Sequence, residues 1–167
     1  MRPRLPLRTL ALGAFLAIPA AQALASGPQG YLIRNKQTGE YLAAQGAYDS
    51  VQWNNQPVRS IKWPGHRHAS IVWHFEQQPG HQRPTRYWIW NDAAGRVIDA
   101  HPGNWMATTH PRVRHASTSQ TWSFDNGRLK SGLGQCLDAY VINGRASSTI
   151  GIWHCHGGNN QQWEILR

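Results

Sequence analysis

The residues able to do chemistry gather toward the end of this 167-residue chain. Its two cysteines are Cys136 and Cys155, and His154 and His156 flank the second. In an exported chain an even cysteine count favours one disulfide, which would close a loop of about twenty residues and contribute on the order of 3 kcal/mol. Zinc is the rival reading. No second Cys/His pair at structural-zinc spacing accompanies these residues, and strand neighbours point to opposite faces. Asp99 and Asp138 are candidate acid–base carboxylates, but an internal repeat puts them at equivalent positions of different units, not at the ~5–10 Å that a glycosidase needs. No Ser/His/Asp or Cys/His arrangement pairs a nucleophile with a base. The expectation is a protein that is not an enzyme, with no metal and no cofactor.

Short strands must hold these residues, because apolar recurrence at helical spacing is nearly absent and sixteen Gly with ten Pro interrupt the chain. Candidate strands are Tyr31–Arg34, Glu40–Ala43, Val51–Trp53, Ile71–Phe75, Tyr87–Trp90, Val97–Asp99, Thr121–Phe124, Arg128–Lys130, Gln135–Asp138, Thr149–Trp153 and Gln162–Ile165. Thr38-Gly39, Ala94-Gly95, Asn126-Gly127 and Asn143-Gly144 supply turns between them. The expected class is all-β.

Three segments align internally. Leu42-Ala43-Ala44, Ile98-Asp99-Ala100 and Leu137-Asp138-Ala139 are equivalent triplets, each followed by a closing tryptophan at Trp73, Trp122 or Trp163. Units near 30–77, 86–125 and 128–167 imply pseudo-threefold symmetry. One unit cannot bury its own apolar face, so Leu42, Ile98, Leu137 and the three tryptophans are expected to share a core. A glutamine two residues before tryptophan can satisfy main-chain groups that the turns leave unpaired.

Residues 1–25 read as a signal peptide: Arg2, Arg4 and Arg8 precede the apolar run Leu10–Ile18, and Ala-x-Ala sites follow. Residues 26–167 then form one secreted or periplasmic domain. The leader carries three of the seventeen basic and none of the eight acidic side chains, leaving fourteen against eight, or +6. The basic residues are dispersed, so no nucleic acid partner is expected, and no later stretch could cross a bilayer.

Cys136-Leu-Asp138, Ile152-Trp-His-Cys155 and Asn159-Asn-Gln-Gln-Trp163 together resemble a ricin B-type lectin subdomain with its Q-x-W motif, also found in family 13 carbohydrate-binding modules. The resemblance implies a β-trefoil, a Cys136–Cys155 disulfide and shallow sugar pockets, at most one per unit. It assigns Asp138 to accept hydrogen bonds from two sugar hydroxyls, Trp153 to stack on a pyranose, Asn160 to contact a hydroxyl and Gln161 to hold Asp138 or the sugar, with His154 and Tyr140 as rim. Gly151 departs from the pattern, since many members carry a polar residue there. A second site would use Asp99 and Gln120 with Trp105 as platform, although Ser119 replaces the asparagine. The first unit has Ala43 and Ile71 at those positions and is expected to be structural.

The implied function is carbohydrate binding, with glycans or glycoconjugates of galactose or a related type as partners. The alternative is a lectin-like delivery or adaptor subunit that binds other subunits of a secreted complex. A plainer reading makes Asp138 a turn cap and Trp153 a core residue; Asn160 and Gln161 favour the sugar site. The basic segment Asn54–Ser70 reads either as a loop for an anionic partner or as an ordinary surface loop.

Overall fold

The computed structural model describes residues 30–45, 56–80, 85–101, 105–113, 117–142 and 145–167. The expected leader, the Val51–Trp53 strand and the Asn143-Gly144 turn lie outside the described residues.

Twelve antiparallel strands form one hydrogen-bonded network, with short 3-10 turns as its helical elements among the described residues. They are β1 (Leu32–Asn35), β2 (Tyr41–Ala44), β3 (Gln56–Ile61), β4 (Trp73–Gln77), β5 (Tyr87–Asn91), β6 (Arg96–Asp99), β7 (Thr108–His110), β8 (Trp122–Asp125), β9 (Arg128–Ser131), β10 (Gln135–Ile142), β11 (Arg145–His154) and β12 (Trp163–Leu166). The closing strand of each unit pairs with the opening strand of the next: β4 with β5, β8 with β9, and β12 with β1. Hairpins β2–β3, β6–β7 and β10–β11 complete the units, and β3 joins both β7 and β11. At the β8–β9 turn, Asn126 and Gly127 have φ of 47° and 76°, the positive values that a tight two-residue hairpin turn requires.

The repeat is physical. Trp73, Trp122 and Trp163 are almost fully buried, and each donates its indole N–H to a main-chain carbonyl, that of Leu42, Ile98 and Leu137 respectively, at 2.9, 2.9 and 3.0 Å. Large aromatics thus fill the shared core while their polar atom stays satisfied. A 3-10 turn precedes each closing strand, at Ala69–Ile71, Thr118–Gln120 and Asn159–Gln161.

Two strands escaped the sequence pattern. Gln56–Ile61 falls inside the segment read as a loop, where Pro57 lowers strand propensity; it lies where β3 meets the short β7, opposite Thr108. Thr108–His110 is a three-residue strand stopped by Pro111, too short to show alternation. Two residues of the remaining basic segment are tied into the fold: an Arg67 Nη donates to the carbonyl of Gly30 at 2.7 Å, and His68 caps the following turn, while Lys62 to His66 are exposed.

Candidate functional site

Strand alternation decides which side chains of β10 and β11 can meet a ligand. Leu137, Ala139, Ile150 and Ile152 all face the core. The opposite face carries Cys136 and Asp138 across from Trp153 and Gly151. Cys136 and Cys155 are disulfide-bonded with Cα atoms 5.0 Å apart, tying the start of β10 to the end of β11 and taking both thiols out of any metal site. Among the described residues no group of three His, Cys, Asp or Glu could hold a metal ion.

The turn Asn159–Gln161 folds over this outer face. Asn160 donates its amide N–H to Oδ1 of Asp138 at 2.8 Å, and Gln161 donates to Oδ2 at 2.9 Å. Gln161 is itself pinned, because its Nε2 also donates to the carbonyl of His154 and its Oε1 accepts the main-chain N–H of His156. Asp138 is only 2% exposed, and a carboxylate so buried would be costly without these donors. It forms part of the wall of an open cavity of about 290 Å³, lined by Asp138, Tyr140, Val141, Trp153, His156 and Asn160. The cavity offers an acceptor, an amide and an indole face to a ligand with hydroxyls on one edge and C–H bonds on the other.

Of the residues expected at the site, Asp138, Tyr140, Trp153 and Asn160 line the cavity, while Gln161 is fully buried behind Asp138. His154 is exposed and lies beside Trp153, with ring centroids 5.5 Å apart, but it is not a lining residue. His156 takes its place. Its Nδ1 accepts the N–H of Gly158 at 3.0 Å, which leaves Nε2 as the protonated atom facing Oδ2 of Asp138 at 3.6 Å. The sequence flagged His156 only as a neighbour of Cys155; the turn that aims it at Asp138 has no local signature.

The shared register corrects one assignment. Asp138 pairs with Gly151 and Cys136 with Trp153, just as Asp99 pairs with Thr108 and Val97 with His110. The platform position of the second unit is therefore His110, stacked near His101 at 6.4 Å, and not Trp105. The indole of Trp105 instead lies against Trp153 of the third unit, with centroids 4.7 Å apart. Gln120 repeats the role of Gln161: it donates to Asp99 and to the carbonyl of Pro111 and accepts from Val113 N–H. Ser119 interacts with Ser117 in place of the missing amide, and among the described residues the buried Oδ1 of Asp99 has no hydrogen-bond partner. In the first unit the matching positions are Ala43, Ile61 and Ile71, which join an apolar cluster with Leu32 and Val72.

Gly151 is explained by its neighbour. A Cβ there would collide with the ring and hydroxyl of Tyr140, so glycine lets that ring lie across the hairpin. Burial, and then the nearby Asp138 carboxylate, raise the Tyr140 hydroxyl above its usual range, keeping it a donor to the carbonyl of Trp105 at 3.0 Å. Gly151→Ala is expected to swing the Tyr140 ring aside and lose that bond, about 1 kcal/mol. Thermal unfolding should then fall by only about 2–4 °C, while ligand affinity drops several-fold; a variant with unchanged affinity would remove Tyr140 from the site.

Residues 85–167 match the ricin-type beta-trefoil lectin domain. No curated protein is similar in sequence. Among solved structures, the fold resembles a designed threefold-symmetric protein, ThreeFoil, with TM-score 0.67 and 17% identity over 82% of this chain and 97% of that one. The C-half of an earthworm R-type lectin in complex with GalNAc gives TM-score 0.60 and 19% identity over 83% and 98%. A mosquitocidal holotoxin gives 0.66 and 15% over 81% of this chain, which spans only 17% of the toxin.

Proposed function

Taking residues 85–167 as a ricin-type lectin domain, we propose that the whole chain is a non-catalytic, secreted lectin: a pseudo-threefold trefoil of units near 30–77, 86–125 and 128–167, released from a leader at residues 1–25. It binds galactose-type or related glycans through the pocket of its third unit. The observation that carries this reading is the Asp138 carboxylate, held by Asn160 and Gln161 at the wall of a cavity that also presents the Trp153 indole. A carboxylate fixed by two amides keeps its orientation before the ligand arrives, so little ordering remains to oppose weak saccharide binding.

The absence of catalysis in this proposal is supported by the repeat, which assigns Asp99 and Asp138 to different hairpins. The first unit, apolar at the equivalent positions, contributes packing. In the second unit Ser119 stands where the third has Asn160, so Asp99 keeps only the Gln120 amide, and that unit is subordinate to the third.

A glycan array probed with the mature chain tests the proposal. Galactose- or N-acetylgalactosamine-terminated glycans should be retained, and Trp153→Ala should weaken retention about tenfold, as expected for a lost stacking face worth on the order of 1 kcal/mol. Retention of no glycan, or equal retention by the variant, would overturn it.

A further inference from the structure

We infer that Trp105 forms a second sugar-ring subsite beside the third-unit pocket, so that the site takes two linked sugars rather than one. This rests on the proposed lectin reading of that pocket and adds to it the size of the ligand.

The indoles of Trp105 and Trp153 are neighbours at 4.7 Å with their planes inclined by 47°. Trp153 lines the pocket; Trp105 stands outside it and is 58% exposed. Its backbone is nonetheless anchored. The carbonyl of Trp105 accepts the N–H of Ile152 at 2.8 Å and the hydroxyl of Tyr140 at 3.0 Å, and Met106 bridges to Gly151. An exposed indole on a fixed main chain is a preorganised surface, which costs little ordering when a ligand covers it. The inclination matters as well. Two rings joined by a glycosidic bond are not coplanar, and two tilted indoles offer each ring its own face, whereas one sugar covers only one of them.

Titration of the mature protein with galactose and N-acetylgalactosamine, and with the disaccharides lactose and galactobiose, tests this. Wild type should bind a disaccharide about tenfold more tightly than its monosaccharide, the scale of one aromatic stacking contact. Trp105→Ala should bring that ratio close to one, and Trp105→Phe should leave an intermediate ratio, with thermal unfolding followed in parallel to show that both variants fold. A wild-type ratio near one, or a ratio that Trp105→Ala leaves unchanged, overturns the subsite and leaves the pocket standing. Wild-type protein that binds none of these sugars overturns the pocket and the subsite together.

Discussion

Asp138→Asn is expected to weaken saccharide binding by about a hundredfold while the protein keeps its fold. Two charge-assisted hydrogen bonds to neighbouring hydroxyls contribute on the order of 1.5–3 kcal/mol each, and an amide keeps only part of that, so a loss near 3 kcal/mol is the natural scale. The fold survives because the exchange is isosteric and the surrounding donors can adapt. Gln161 cannot turn, since its Oε1 holds the N–H of His156 at 2.8 Å, so the new carbonyl must face its Nε2. The new NH2 then faces Asn160, whose amide can rotate to present its oxygen. Asp99→Asn in the same titration should change little, because Asp99 lacks the equivalent amide partner. Calorimetric titration with the best array ligand checks both variants. Unimpaired binding by Asp138→Asn, or its loss in Asp99→Asn, would move the site elsewhere.

Trp163→Ala should destabilise the protein by about 3–5 kcal/mol, the usual range for truncating a large buried aromatic. Trp163 is 1% exposed, packs in the common core, and supplies the hydrogen bond to the Leu137 carbonyl. The truncation opens a cavity and also leaves that carbonyl unpaired. Against a total stability of about 5–15 kcal/mol, such a loss is large enough to unfold part of the population. Trp163→Phe keeps most of the ring but not the donor, so its cost should be clearly smaller. Urea unfolding followed by circular dichroism reads both as a shift in midpoint at constant slope. If Trp163→Ala cost no more than a surface substitution, the threefold core would not be the source of stability. The same variant should also impair binding, because Trp163 follows directly on the turn that carries Asn160 and Gln161.

Much of this architecture was legible from spacing. The triplets around Leu42, Ile98 and Leu137 fall into identical register against their partner strands, and the tryptophan that closes each unit reaches back to the first residue of its own triplet. The expected disulfide is present, and Gln161 reaches Asp138, one of the two partners that the resemblance implied for it; Asn160, expected against a sugar hydroxyl, also donates to Asp138. A repeated unit states its own contacts three times, so comparison within one chain separates signal from accident. The strand at Gln56–Ile61 was hidden because Pro57 and the charged residues beyond it mimic a loop, and its stabilising partners lie in other units.

Local pattern by itself determined the all-β class, the repeat and the core tryptophans, because hydrophobic period and turn chemistry act over a few residues; the carboxylate with its two amides was marked only by the resemblance of the last unit to a lectin subdomain. Tertiary structure alone decided that Trp105 belongs beside Trp153, that His156 rather than His154 faces Asp138, and that Gly151 makes room for Tyr140. Those placements depend on how one unit packs against the next and on which way a turn aims its side chains, and neither is written in the spacing of residues along a strand.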